Sequence, residues 1–439
     1  MVRGICWIPA CGIVFGACTG DVEVPSQLGA LPVEVASEHQ APDAAGNCTA
    51  TNSQTPESWT VEVEIADDES PFMPTVVDVG VDACGGVAIA WRGYQATAKH
   101  MSVARVLPDG QLDWEREFSY RLGYDGLLDL VVDDFGNSVV LAGGSLRVLA
   151  ADGETYSDVP DEGYEFLEES VDVGEPFVER GAQNLSAVVR TETGWLVAGH
   201  DLWHVFLPFG EVDWYVATES LDTSAQPASL LVGGEGEVLH ASRRIEDDGS
   251  WVFVQQHTID VDEQEASPSM DTEDVVVAHS DGFADAPLIA SVSGHTFLGV
   301  SHFWRSHPAD QPPAEGTCMD VQLGSIADED VAADLDFCGG LQDLVARSDG
   351  SLLSLWALGA RRDDEGRVLD ATLLLLETDA EGDELQRWDL ADAVGPVGQE
   401  VHGAAAMALT KDGDALVIAG KSTERGVLTM HRLPLEDGP

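Results

Sequence analysis

An all-β fold is what this sequence predicts: a seven-bladed β-propeller of four-stranded antiparallel blades, closed by an N-terminal strand that completes the last blade. Three observations predict it. Short Val, Ile, Leu and Trp runs alternate with Asp-Gly and Glu-Gly turns, and helical stripes are scarce. Turn glycines recur at Gly86, Gly136, Gly194, Gly236, Gly294, Gly350 and Gly413, at intervals of 50, 58, 42, 58, 56 and 63 residues, close to the length of a four-stranded blade with variable loops. The last unit, from His402 onward, holds three strands, while 59–65 reads as a Trp-bearing strand with no blade of its own. Joining the two removes the unpaired edges of an open array.

The chain of 439 residues is 44% hydrophobic, enough for a large core, and contains 45 glycines, as many tight turns require. Its charge is extreme. Lys and Arg number 21 against 79 Asp and Glu, a formal net of −58, and the lysines are Lys99, Lys411 and Lys421. Such a surface repels nucleic acid and anionic membrane, so DNA and RNA binding are excluded. It suits a salty or Ca²⁺-containing exterior, where salt screens self-repulsion. It would also serve to capture cations or a basic partner.

Taken in order, residues 1–17 have one Arg, an apolar run and small residues, the order of a signal peptide. The run is too short for a permanent bilayer-spanning helix. Phe15-Gly16-Ala17-Cys18 resembles a bacterial lipobox, which makes Cys18 the expected lipidation site, with Phe15 in place of the usual Leu. The expected location is the cell envelope, lipid-anchored at the outer membrane or cell surface. If Cys18 is not lipidated, the protein is secreted. Residues 18–58, rich in Pro, Ala, Ser, Thr, Glu and Asp, read as a flexible tether. Cys48, Cys84, Cys318 and Cys338 remain after the signal, an even number that suggests two disulfides outside the cytoplasm. Cys318–Cys338 is the local pair, and Cys48–Cys84 would pin the tether to the first blade. No Cys-x-x-Cys or Cys/His spacing suggests a metal site.

The propeller is expected over 59–439. Its first blade, between Thr75 and Phe118, reads as four strands, with turns at Gly85-Gly86 and Asp109-Gly110 and with Trp114 on the fourth. A Gly-then-Trp pairing recurs on the outer hairpins: Gly110 with Trp114, Gly210 with Trp214, and Gly382 with Trp388, the last with two extra residues. The Gly supplies the turn, and the Trp lays a large apolar body against the next blade. Residues 301–338, with Pro308, Pro312 and Pro313, read as an insertion in blade five.

With those residues in view, the chain resembles a bacterial secreted β-propeller lipoprotein. Its Asp-Gly-x-x-x-Trp repeats are similar to the broad quinoprotein-like propeller group, from Trp59 to the C-terminus. Cofactor-using members of that group bind pyrroloquinoline quinone beside a vicinal cysteine pair and a Ca²⁺ site. No Cys-Cys occurs here, so that activity is not carried over, and no cofactor is expected. Non-enzymatic relatives, such as the lipoprotein scaffold of outer-membrane barrel assembly, are similar in layout.

No nucleophile elbow, phosphate loop or metalloprotease pattern is present, and with 79 acidic residues an Asp/Glu pair carries no information. The cations are more telling. The second-to-third strand loops, at 92–99, 143–145, 200–202, 242–250, 301–317, 357–367 and 420–426, hold Arg92, Lys99, Arg243, Arg244, Arg305, Arg361, Arg362, Arg367, Lys421 and Arg425. His200 and His302 fall in the same loops, beside Trp91 and Trp304. A rim of Trp91, Arg92, His200, Arg243, Arg244, His302, Trp304, Arg305, Arg361, Arg362 and Lys421 would grip an anionic or glycan ligand. The same cations would also neutralise acidic links reaching that face. The expectation is a monomeric, tethered binding or scaffolding module with an unidentified protein or glycan ligand, no catalytic residues and no bound metal. The alternatives are a propeller hydrolase or lyase acting on carbohydrate, and an envelope protein-assembly scaffold.

Overall fold

The computed structural model describes residues 58–64, 75–94, 99–120, 128–142, 145–154, 187–191, 194–198, 201–206, 212–217, 226–232, 237–246, 249–260, 269–280, 283–284, 287–293, 295–303, 320–326, 335, 337, 339–362, 368–395, 397, 405–413, 415–421 and 427–435. The expected signal peptide, Cys18, Cys48, Cys318, Cys338, His200, Trp304 and Arg305 lie outside the described residues.

The described chain is all-β apart from one short helix, and its strands pair antiparallel in seven sheets. β1 (Trp59–Glu64) comes first. Sheet one follows, with β2 (Thr75–Val81), β3 (Val87–Tyr94), β4 (Lys99–Val106) and β5 (Leu112–Tyr120) bonded in that order. Sheet two holds β6 (Leu128–Val132), β7 (Ser138–Ala142) and β8 (Ser145–Leu149). Sheet three holds β9 (Ala187–Arg190), β10 (Gly194–Ala198), β11 (Asp201–Phe206) and β12 (Val212–Ala217). Sheet four holds β13 (Gln226–Val232), β14 (Glu237–Glu246), β15 (Gly249–Asp260) and β16 (Ser269–Ser280). Sheet five holds β17 (Phe283–Ala284), β18 (Leu288–Val292), β19 (His295–Phe303) and β20 (Asp320–Ser325). Sheet six holds β21 (Gly339–Ala346), β22 (Leu352–Arg362), β23 (Val368–Thr378) and β24 (Glu384–Asp389). After α1 (Ala391–Val394) come β25 (Ala405–Leu409), β26 (Ala415–Lys421) and β27 (Val427–Pro434), and the fourth member of this sheet seven is β1. Val61 lies opposite Met430, and Glu64 opposite Val427.

Two sheets depart from the expected four-strand blade. Sheet two has three strands among the described residues. In sheet five, β17 and β18 both pair with β19 on the same side, so they act as one inner strand broken ahead of Pro287, a residue with no N–H for the ladder. Part of the expected 301–338 insertion is strand: β20 pairs with β19, Asp320 opposite His302.

The core lies between consecutive sheets. In β3, Val87, Ile89 and Trp91 pack with Val61, Val417, Leu428 and Met430 of sheet seven. Ala88 and Ala90, on the other face, pack with Leu130 and Val140 of sheet two. Alternate residues of a strand point to opposite faces, so a strand sandwiched on both sides is apolar throughout, as Val87–Trp91 is. Similar clusters join sheets four and five, five and six, and six and seven. The first strands lie side by side in the order β2, β6, β9, β13, β18, β21, β25, and β25 lies against β2.

Tryptophan and turn glycine meet between neighbouring sheets rather than within one hairpin. The Trp59 indole N–H donates to the Pro108 carbonyl at 3.2 Å, and that of Trp114 to the Ala151 carbonyl at 2.8 Å. Each acceptor sits two residues before a turn glycine, Gly110 or Gly153, with φ of +85° and +80°. A Cβ on either would meet the tryptophan ring, at 2.9 Å for Gly110 and 2.7 Å for Gly153. Glycine therefore answers both the backbone and the ring stacked on it. Sheet seven docks on sheet one by the same device that docks sheet one on sheet two.

Candidate functional site

Three first strands carry an aspartate among apolar neighbours: Asp78 in β2, Asp129 in β6 and Asp343 in β21. Asp78 accepts the N–H of Val79 at 2.7 Å and that of Leu130, on the next first strand, at 2.6 Å. Asp129 accepts from Val188 of β9 at 2.7 Å. Asp343 accepts from Leu344 and from Met407 of β25, both at 2.7 Å. In sheet four, the Ser229 hydroxyl plays the same part, accepting the Ile289 N–H at 3.3 Å. Each of these oxygens ties a first strand to the next one.

These aspartates are half-buried as residues. Burial raises all three out of the usual carboxylate range, since a low-dielectric site disfavours the charged form. Asp78 is raised well above its ordinary value by burial, then by Asp129 and Asp343. Burial lifts Asp129 to about 7 against the opposing pull of the Val188 N–H, and Asp343 to about 6 against those of Met407 and Leu344. Sequence reasoning passed over these residues. Their one signal is an acid at an otherwise apolar position in VVDVG, LLDLV and LQDLV.

Other charges near the turns are also engaged. Asp82 accepts the N–H groups of Cys84 and Gly86 at 2.8 Å each and pairs with Arg105, whose other nitrogen donates to the Gly136 carbonyl of sheet two at 2.8 Å. Asp133 repeats the turn with Phe135 and Asn137. Arg347 pairs with Glu377 and Asp349.

The expected cationic rim is described only in part. Trp91 is 3% exposed in the core between sheets seven and one, which corrects its reading as a ligand-facing residue: β3 is buried on both faces. Arg92 and Arg243 are half-buried. Arg244 lies over the Phe253 ring at 5.0 Å, and Trp251 stacks on Phe253 with centroids 6.4 Å apart. This guanidinium–aromatic stack sits near the turn between β14 and β15, at the expected rim. His302, Arg361, Arg362 and Lys421 belong to described strands, but their side chains lie outside the described residues. Deeper on the same sheet-four face, His240 and His257 are fully buried with rings 5.9 Å apart. Burial, then His257, holds His240 down to about 3, so it is neutral.

A cleft of about 290 Å³ opens where sheets seven and one meet, lined by Ala83, Cys84, Gly85, Thr410, Lys411, Asp412 and Arg432. Cys84 is disulfide-bonded. Among the described residues, no helix is long and apolar enough to cross a membrane, and no group of three or more His, Cys, Asp or Glu is arranged to hold a metal.

No protein-family model and no curated protein matches the chain. Solved structures do. The WD40 domain of Toxoplasma gondii coronin is 9% identical with a TM-score of 0.43, over 87% of this chain and 88% of that one. A gluconolactonase from Xanthomonas campestris is 12% identical with a TM-score of 0.36, over 85% and 98%. Trypanosoma rangeli sialidase is 12% identical with a TM-score of 0.41, over 86% and 59%. All three are β-propeller folds. These likenesses, each with a TM-score under 0.5, lend nothing to a reading of activity.

Proposed function

We propose that 59–439 form a closed seven-bladed propeller, in which β1 completes the last blade, and that it works outside the cytoplasm as a binding or scaffolding module. The N-terminal region would anchor it, through Cys18, to the envelope. One observation carries the non-catalytic reading: the polar groups gathered at the first strands and turns serve the framework. Asp78, Asp129 and Asp343 accept backbone N–H groups of the neighbouring first strand, and Arg105 joins the turns of sheets one and two. A catalytic acid or base must instead reach a substrate. The cyclic order of the first strands and the β1–β27 pairing support closure.

For the ligand, the stack of Arg244, Phe253 and Trp251 favours an anion or a glycan, which a guanidinium and aromatic faces grip together. The test replaces Arg243, Arg244, Arg361 and Arg362 by Ser and measures retention on immobilised anionic glycans. Lost retention is expected, and unchanged retention removes the ligand class. Incubation of the wild type with a polysaccharide panel should yield no new reducing or unsaturated ends; their appearance would replace the module with an enzyme.

A further inference from the structure

We infer that the acidic segment preceding β1 folds back onto the cleft between sheets seven and one and is bonded there through Cys48 to Cys84, stapling the seam where the first and last strands meet. The reading deepens the closed propeller proposed above and rests on it. The remaining cysteines of the chain are Cys6, Cys11, Cys18, Cys48, Cys318 and Cys338, so topology can choose among them.

The first turns of neighbouring sheets gather at one end of the molecule. Gly350 abuts Ser293, and Gly413 faces Ser348. Lys411 pairs with Asp134 at 3.2 Å, and the cleft itself joins Thr410–Asp412 to Ala83–Gly85. Cys84 lies at this end. Cys338 adjoins Gly339, which opens β21 at the opposite end, about 23 Å of extended strand from its turn. Cys318 is two residues from Asp320, which pairs with His302, also remote from the turns. A disulfide needs Cα atoms within about 7 Å, so neither reaches Cys84. An N-terminal cysteine remains.

The N-terminal side has the reach and the charge. β1 begins at the turn-bearing end: Trp59 caps the turn at Pro108–Gly110 and lies opposite Arg432, which lines the cleft. Cys48 precedes Trp59 by 11 residues, a span of up to roughly 36 Å. Residues 19–57 carry Asp21, Glu23, Glu34, Glu38, Asp43 and Glu57 and no Lys or Arg, whereas the cleft sets Lys411 and Arg432 against the single acid Asp412 in a chain with few cations. Forming the bond joins two thiols with loss of two protons and two electrons, which a disulfide-exchanging oxidant of the extracytoplasmic compartment accepts.

Peptide mapping of the full chain without reduction tests the bond. A Cys48–Cys84 peptide is expected, and Cys84 linked to Cys318 or Cys338 overturns the inference whether or not the propeller is closed. Cys48→Ser should lower Tm by roughly 2–6 °C and speed protease cleavage within 19–57. In that background, Lys411→Glu should speed cleavage further; an unchanged rate would refute the cleft as the docking surface. Circular dichroism of each variant, matching the wild type, separates loss of the staple from loss of the fold.

Discussion

Asp129 and Asp343 hold backbone amides of the next sheet yet ionise late, and this makes stability depend on pH with a known sign. Their folded values, about 7 and about 6, lie above the ordinary 3.8. Their contribution is therefore fully present below the unfolded value and is lost as pH rises through the folded ones. His240 acts in reverse: held down to about 3 from 6.5, it withdraws stability as pH falls below about 6.5. At constant ionic strength, the thermal midpoint should rise as pH is lowered from about 8 toward 6. Asp129→Asn with Asp343→Asn should flatten that segment of the curve, since an amide oxygen still accepts the N–H but does not titrate. A variant curve parallel to the wild type would show that these carboxyls do not govern it. At this scale little was legible beforehand. Only their apolar neighbours set these two aspartates apart in sequence from 77 other acidic residues, and only folding brings their oxygens to the neighbouring amides. Trp91 misled for a related reason: a Trp ending an apolar run reads equally as rim or core until both faces of β3 are seen to be covered.

Sheet seven leans on sheet one, and sheet one on sheet two, through a Trp on an outer strand and a Gly turn on the adjacent sheet. Trp114, 8% exposed and bonded to Ala151, joins hydrophobic and polar links in one side chain. Trp114→Ala should cost about 3–5 kcal/mol. Trp114→Phe, which keeps an aromatic ring but leaves the Ala151 carbonyl without its donor, should cost about 1–2 kcal/mol. Denaturant titration of both variants checks the order: no loss in Trp114→Phe would deny the hydrogen bond a share, and equal losses would deny the ring packing one. The turn glycines were legible because a φ of about +80° and a close ring contact both demand glycine, although the Trp that each one meets, Trp59 for Gly110 and Trp114 for Gly153, lies far off in sequence. Sheet five was not: β17 and β18 divide one inner strand at a break that no repeat announces, and β20 lies inside what reads as an insertion.

For the whole molecule, the formal charge of −58 opposes compactness through self-repulsion. Raising NaCl from about 0.01 to about 0.5 M shortens the screening length from roughly 30 Å to under 5 Å, so the thermal midpoint should climb over that range. A flat response in calorimetry would mean that bound counterions already balance the charge.

The pairing of β1 with β27 also has a cost in time. Thr60 and His431, 371 residues apart, meet across it. During synthesis at about 5–20 residues per second, the leading strand waits roughly twenty seconds to over a minute for its mate. Throughout that interval it offers an unsatisfied ladder to any passing chain, so a chaperone that holds the nascent chain would protect yield.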